Sequence, residues 1–427
     1  MVRATGPASD VDVIVIGAGA AGLAAARALK TAGRSFKVLE AMSRRGGRAF
    51  TDTTSLGVPF DMGCHWLHSA SINPFSTYAD ELGHRYLKRG TRRSVGLHVG
   101  SAWADDATTK VAWDVVEQAF EDVDQAGERG QSGTDCSAQE VIRATPPWSR
   151  LVRHWFGLLS AAPPEDLSVV DLARYRDTRE NWPVVDGYGA LVDRVFADIP
   201  VELNCPVTEI DWHARPLRVT TPQGLLTAQA VIVTASTNAL LSGQISFTPS
   251  LPDSCVDAAL GCPTGHAEKV AFLLDAPLPD TDPSSYIDTI DMNAPDRPPI
   301  NFTLNAVGTP VIIGQLGGHV ARDLEAAGEA AMIDFAEHAL RDVFGADLLT
   351  KVTKRLVTRW ASEPTILGAY SYARPGKADL RRNLMEPMGE RLFLAGEATS
   401  PDFFSTAHGA YQSGKRAADQ ALKVLAG

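Results

Sequence analysis

Residues 11–48 read VDVIVIGAGAAGLAAARALKTAGRSFKVLEAMSRRGGR. The apolar run at 13–16 predicts a fully buried strand. It enters Gly17-Ala18-Gly19-Ala20-Ala21-Gly22, a G-x-G-x-x-G turn that opens an alanine-rich helix. Gly17 permits the tight turn, Gly19 lets the backbone approach a pyrophosphate, and Gly22 lets helix and strand pack closely. The helix N-terminus then offers unpaired N–H groups and a positive dipole end to phosphates. A second strand, at 36–39, leads into Glu40 at roughly the 20-residue spacing where an acid binds ribose hydroxyls. Glu40 argues for an adenosine ribose with free hydroxyls, because a 2′-phosphate would want an arginine there. This βαβ pattern alone does not separate FAD from NAD. Past Glu40 and Ala41, the residues Arg44, Gly47 and Arg48 add two guanidinium groups and flexible backbone. NAD dehydrogenases have no standard need for such a segment, so it points to FAD.

At 427 residues the chain exceeds the ~250–300 at which one hydrophobic core stops growing, so two domains are expected. Hydrophobic content of 44% and charged content of 21% exclude disordered and fibrous classes. A balance of 40 basic against 51 acidic residues, net −11, disfavours nucleic acid and anionic membrane as partners. The cysteines at 64, 136, 205, 255 and 262 form no CxxC pair and have no close histidines at ligand spacing. They read as scattered thiols in a reducing compartment, with no metal site. The opening MVRATGPASD lacks an apolar signal region, no stretch approaches the ~20 apolar residues of a membrane span, and the expected location is cytoplasmic.

Further along, 57–83 carries Asp61-Met62-Gly63, then Trp66 and His68 two apart, then Asn73-Pro74 heading a helix predicted to 82. On residue chemistry alone, Trp66 and His68 either line a pocket or sit in the core with satisfied polar tips. From 84 to 185 the pattern is helical (111–123, 138–142, 148–159), with a polar, glycine-bearing break at 127–133. Glu117, Glu121, Asp122 and Asp124 fall at helical spacing and read as a solvated face rather than a charge-reading site. Strand and helix alternate again at 185–252, with strands predicted at 201–204, 217–221, 225–228 and 230–234. Strands at 270–274, 300–304 and 311–317 with a helix at 326–343 predict a second sheet. Lys269 heads the first of these strands, usually a solvated position. Trp360, Tyr370 and Tyr372 precede a last buried strand that ends at Gly396-Glu397. Thr406 and Ala407 then open a C-terminal helix whose N-terminus would stabilise negative charge on a bound ring.

In combination, GAGAAG, GGR at 46–48, GCHWLH at 63–68, FTPSLP at 247–252, the Lys269 strand, GAYSY at 368–372 and GEATS…TAHGA at 396–410 resemble the flavin-containing amine oxidase superfamily. The resemblance is nearest to its polyamine oxidases, acting on spermine or N-acetylpolyamines, and it weakens at 84–185 and 275–350. It implies an α/β protein in which a Rossmann-like FAD-binding domain carries a discontinuous α+β substrate domain, the two-domain fold of amine oxidases and p-hydroxybenzoate hydroxylase. Residues 1–83, 186–262 and 388–427 would form the FAD domain, and 84–185 and 263–387 the substrate domain. The implied FAD contacts are Gly17, Gly19, Ala21, Gly22, Glu40, Ala41, Arg44, Gly47 and Arg48. The Val207 backbone would meet the adenine, with Gly396, Glu397, Thr406 and Ala407 at the flavin end. Ala369 stands where covalent homologues have cysteine, so FAD would be held non-covalently.

The same resemblance implies a catalytic set. Lys269 would be joined through a water to flavin N5, with Tyr370 and Trp360 beside the ring. His68 would contact substrate nitrogen, and the Thr406 hydroxyl would face Tyr370 where other members carry a second aromatic ring. The expected reaction is hydride transfer from amine Cα to flavin N5, then imine hydrolysis, with O2 reduced to H2O2. Expected partners are O2 and a small amine, with a polyamine favoured, in a monomer or homodimer. Three rivals remain. An L-amino-acid oxidase would need a guanidinium for the substrate carboxylate, for which Arg143, Arg150 and Arg153 are candidates. A desaturase or protoporphyrinogen-oxidase-like enzyme would have a more apolar pocket. A low-turnover flavin-bearing binding protein, as in the histone-demethylase branch, would carry long insertions.

Overall fold

The computed structural model describes residues 9–88, 95–131 and 133–426. The strand Val11–Ile16 lies between two parallel neighbours, Phe36–Leu39 and Gly224–Val233, which buries its last four residues. Leu392–Leu394 pairs in parallel on Gly224–Val233, so the end of the chain returns to the sheet that its beginning starts. Leu217–Thr221, Glu209–Asp211 and Ser246–Thr248 complete seven strands. Helix Ala20–Thr31 and the C-terminal helix Ala407–Ala426 pack against each other over this sheet, enclosing Leu23, Leu29, Phe75, Tyr188 and Ala417. A Cβ at Gly22 would lie 1.9 Å from the Gly17 carbonyl oxygen, so the helix and the turn meet backbone to backbone.

The second sheet also has seven strands, ordered Val352–Val357, Ala267–Leu274, Val311–Gly317, Ile300–Leu304, Ser285–Ile290, Val95–Val99 and Ala102–Trp103. Its pairs are antiparallel except for Ser285–Ile290 with Val95–Val99. Helix Glu329–Phe344 covers it by packing Met332, Ala336 and Leu340 with Phe272 and Phe302. Helices Asp106–Gly130, Trp148–Ser160 and Val169–Arg174 form a third apolar cluster around Val123, Leu151 and Phe156.

Five local expectations change. The helix over 111–123 runs from Asp106 to Gly130, through the glycine taken as a break. Gly127 is there for contact, since a Cβ would sit 2.1 Å from Val169 O on the neighbouring helix. The segment 326–343 is two helices, Gly318–Ala327 and Glu329–Phe344, parted at Gly328 with φ +102°. Residues 201–204 make a single bridge, Leu39 to Glu202, rather than a strand. The pieces at 225–228 and 230–234 are one strand, Gly224–Val233. Region 84–185 is also not purely helical, because it lends Val95–Val99 to the second sheet. Among the described residues no helix is long and apolar enough to cross a membrane.

Candidate active site

A cavity of about 910 Å³ is lined from both sheets and from the helical segment. At one end its wall includes Gly17, Gly19, Ala21, Glu40, Ala41, Gly47, Arg48 and Val207. At the other it includes His68, Lys269, Trp360, Tyr370, Gly396, Glu397, Thr406 and Ala407. Two residues with implied cofactor contacts are not on the wall. Gly22 is packed beneath the turn. The Arg44 guanidinium lies 4.1 Å over the Phe50 ring and donates to Gly47 O at 2.8 Å.

The first end suits a dinucleotide. The start of helix Ala20–Thr31 has no side-chain cap, and the wall around it is glycine and alanine, so bare N–H groups are available to a phosphate. Glu40 is buried, and its two oxygens accept from Ala18 N at 2.7 Å and Met42 N at 2.8 Å. Burial pushes its pKa up, and those two N–H groups oppose the rise. Its remaining lone pairs can still take hydroxyls. Arg48 donates to Glu397 at 2.9 Å and to Ala369 O at 2.5 Å. Glu397 also accepts from Ser371 Oγ at 2.6 Å and Ser405 N at 2.8 Å. Burial works against the Glu397 carboxylate, yet Arg48 and these donors hold its pKa below the usual range.

The second end is wired differently. Lys269 is buried, and its Nζ donates to Asp61 O and Gly63 O, each at 2.6 Å, leaving one N–H for the cavity. Burial pushes its pKa down to about 8. Its neighbour Glu268, absent from the residues singled out by sequence, is also on the wall. Glu268 accepts from Thr358 Oγ1 at 2.5 Å and from Trp360 N at 2.8 Å. Burial, with the nearby Glu325 carboxyl, pushes it up to about 8 against the Thr358 bond. Trp360 is fixed at its other side by Nε1 donating to Met62 O at 3.2 Å. Tyr370 donates its hydroxyl to Leu158 O at 2.5 Å, and burial raises its pKa. His68 follows the strand Trp66–Leu67, which pairs with Trp182–Pro183 and so brings His68 Nδ1 to 2.6 Å from Asn181 Oδ1. The Thr406 hydroxyl is committed to the helix start, donating to Phe403 O at 2.7 Å and accepting from Gly409 N at 3.0 Å.

Of the four carboxylates read as a solvated face, Glu117, Glu121 and Asp124 are exposed, whereas Asp122 is buried and paired with Arg143 at 2.8 Å. Asp124 and Glu128 lie on the cavity wall with Asp177 and Arg179. Burial, together with Glu128, raises the Asp124 pKa. The spacing of Phe120, Asp124 and Glu128 places them on one helix face, a signal that sequence could have supplied. None of the three arginines considered for a substrate carboxylate lines the cavity. Arg143 is held by Asp122, Arg153 by Glu165, and Arg150 by the carbonyls of Asp291, Ala294, Pro295 and Arg297.

Comparison with known proteins agrees with this geometry. The family described as flavin containing amine oxidoreductase matches residues 20–422. Polyamine oxidase 4 of Oryza sativa subsp. japonica is 30% identical over 98% of this chain and 90% of its own length. Polyamine oxidase 2 of Arabidopsis thaliana is 30% identical over 97% and 88%. Lysine-specific histone demethylase 1B of Mus musculus is 27% identical over 96% of this chain but only 52% of its own length. With its uncapped helix start, buried lysine and match over nearly its whole length, the chain belongs to the flavin-containing amine oxidoreductases and is an oxidase acting on CH–NH groups.

Proposed function

We propose that the chain is a polyamine-oxidase-like enzyme that holds FAD non-covalently and uses O2 as acceptor. The observation that carries this reading is the charge layout of the cavity. Asp124, Glu128 and Asp177 stand on its wall, while its cationic side chains among the described residues are Lys269, Arg179 and the ion-paired Arg48. A ligand with several ammonium groups suits such a wall, and a free carboxylate does not. A bound flavin would supply two-electron oxidation of the amine Cα–H bond, ending in H2O2 and an imine for water to hydrolyse.

The side chains supply orientation and proton handling. Tyr370 and Trp360, each pinned by a hydrogen bond, give rigid apolar surface against which an amine can be aligned. Lys269, with a pKa near 8, can hold or release a proton at Nζ close to neutral pH. His68, oriented by Asn181, would meet substrate nitrogen or a water beside it. The methyl group of Ala369, on the wall, offers no nucleophile for a covalent flavin bond. The division into an FAD domain and a substrate domain is supported by the two sheets, which draw on different chain segments.

The test is peroxide release by the purified protein with spermine, spermidine, putrescine, acetylated polyamines, aromatic amines and L-amino acids. The expected result is turnover of polyamines, with flavin released into solution on acid precipitation. Activity confined to L-amino acids overturns the substrate reading, and flavin remaining on the precipitate overturns non-covalent binding.

A further inference from the structure

A polar row crosses the middle of the second sheet, and the function proposed above uses only its first member. Lys269 pairs with Gln315, Gln315 with Asn301, and Asn301 with Asp288, each directly opposite the next on four adjacent strands. Side chains alternate between the faces of a sheet, and directly paired residues share one face. The chain neighbours of these four, Val270, Leu316, Phe302 and Ile287, belong to the apolar cluster under helix Glu329–Phe344. The row therefore lies on the opposite face, where Lys269, Gln315 and Asn301 all line the cavity.

Asn301 is 2% exposed. Its Nδ2 donates to Asp288 Oδ1 at 3.2 Å and to Ile287 O at 3.4 Å. A backbone carbonyl can only accept, so turning the amide over would set oxygen against oxygen, and Oδ1 is the end left for the cavity. Gln315 Nε2 donates to Thr303 Oγ1 at 2.9 Å, which leaves its Oε1 over. Neither oxygen has a partner among the described residues, yet neither is sealed from contact. Both strands are interior to the sheet and its other face is covered, so what these oxygens face is the cavity. Two amide oxygens without donors on the wall of a ligand cavity are unfinished hydrogen bonds.

We propose that Asn301 Oδ1 and Gln315 Oε1 form a subsite that accepts the N–H groups of a second, non-reacting nitrogen of the amine, so that the substrate is a diamine or a longer amine. Strands in a sheet are about 5 Å apart, which sets Gln315 and Asn301 about 5 and 10 Å from Lys269 along the row. Two nitrogens joined by three methylene groups are also about 5 Å apart in an extended chain. A carbon oxidised beside Lys269 would thus bring the next nitrogen of its chain over these oxygens. They suit it because an amide oxygen accepts from an amine or an ammonium group alike, whereas a methylene group offers it no donor. The inference rests on the amine reading above and deepens it.

The test is a cycle between side chain and ligand, run on the purified holoprotein. Spermidine is compared with two analogues in which one terminal amino group is replaced by methyl, N-butyl-1,4-diaminobutane and N-pentyl-1,3-diaminopropane. The readout is the amine dissociation constant in anaerobic flavin reduction. Wild type should bind spermidine about 10-fold more tightly than the analogue lacking the amino group that lies over the row. Gln315→Met keeps the length and removes the oxygen, while Asn301→Ser keeps a hydroxyl for Asp288 and withdraws the carbonyl. Each should weaken spermidine by about 3–10-fold and that analogue by less than about 2-fold, so that the gap closes. Equal losses for all three amines overturn the inference, because they mark a packing role, and wild-type constants in both variants overturn it as well. A visible spectrum shifted without amine, with the gap still open, gives the oxygens to the flavin and also overturns it. Should Asn301→Ser fail to fold, Gln315→Met decides alone: a closed gap supports the subsite and an open one overturns it. A wild-type protein that oxidises no amine overturns the function proposed above, while equilibrium dialysis of spermidine and its analogues against the same variants still reads the subsite.

Discussion

The two ends of the cavity are built on opposite principles. At the nucleotide end the charged side chains are already answered by the protein: Glu40 by two backbone N–H groups, and Arg48 by its ion pair with Glu397. At the reaction end Lys269 and Glu268 are buried with pKa values pushed toward 8 from opposite sides. A site that only binds gains from charges fixed in advance, because they cost no reorganisation when the ligand arrives. A site that moves protons needs groups poised near the working pH, and burial is the means to poise them.

If this contrast is correct, four perturbations act differently at the two ends. The largest effect should come from Arg48→Ala, which removes the ion-pair partner of the buried Glu397 and leaves it only the field of Arg381. Stability should fall by about 3–5 kcal/mol and flavin should be lost on purification, as read by denaturant unfolding and the 450 nm absorbance. Retained flavin and stability would remove the distinction between the ends. Lys269→Met should keep its flavin yet slow flavin reduction or reoxidation by roughly 10²-fold in stopped flow. Unchanged rates would take Lys269 out of the chemistry.

A third perturbation concerns pH. The folded pKa of Glu268 is raised from 4.5 to about 8, so between those values the folded state holds a proton that the unfolded state has lost. Its contribution to stability is therefore complete below pH 4.5 and declines as pH rises to 8. Glu268→Gln, a permanent mimic of the protonated acid, should flatten that limb, with melting temperatures a few degrees above wild type at pH 8. Parallel melting curves across this range would show that Glu268 is not poised. The smallest effect belongs to the exposed carboxylates on the cavity wall. Asp124→Asn should raise the polyamine KM by about 2–5-fold at low salt, with kcat unchanged and the difference fading as salt rises. A salt-independent change would point to shape instead.

The nucleotide end was legible because its instructions are local. The residues from Val11 to Arg48 lie next to one another in sequence, and each glycine acts within a few positions of the next. The second sheet was foreseen from its apolar runs, but its parallel strand, Val95–Val99, was not, because nothing local announces a partner near 290. Gly127 was misread for a related reason, since its role is set by Val169 on another helix. The reaction end was less legible still. Glu268 owes its raised pKa to burial and to Glu325, and the donors that hold it, Thr358 and Trp360, are 90 and 92 positions away. Thr406 shows the converse, a residue placed in the site by resemblance whose hydroxyl is spent on its own helix.

The ion pair between Arg48 and Glu397 joins positions 349 apart, and this separation sets a clock. At roughly 5–20 residues per second of synthesis, Arg48 leaves the ribosome on the order of 17–70 s before its partner exists. During that interval the residues of the glycine turn have been made, but the sheet lacks first Gly224–Val233 and then Leu392–Leu394, and the cavity lacks the wall that begins at Gly396. A nascent chain can therefore display a finished nucleotide motif while having nowhere to keep the nucleotide. Cofactor capture therefore waits for the segment after Gly396, so the flavin supply acts on chains that already carry both halves of the cavity rather than on shorter ones.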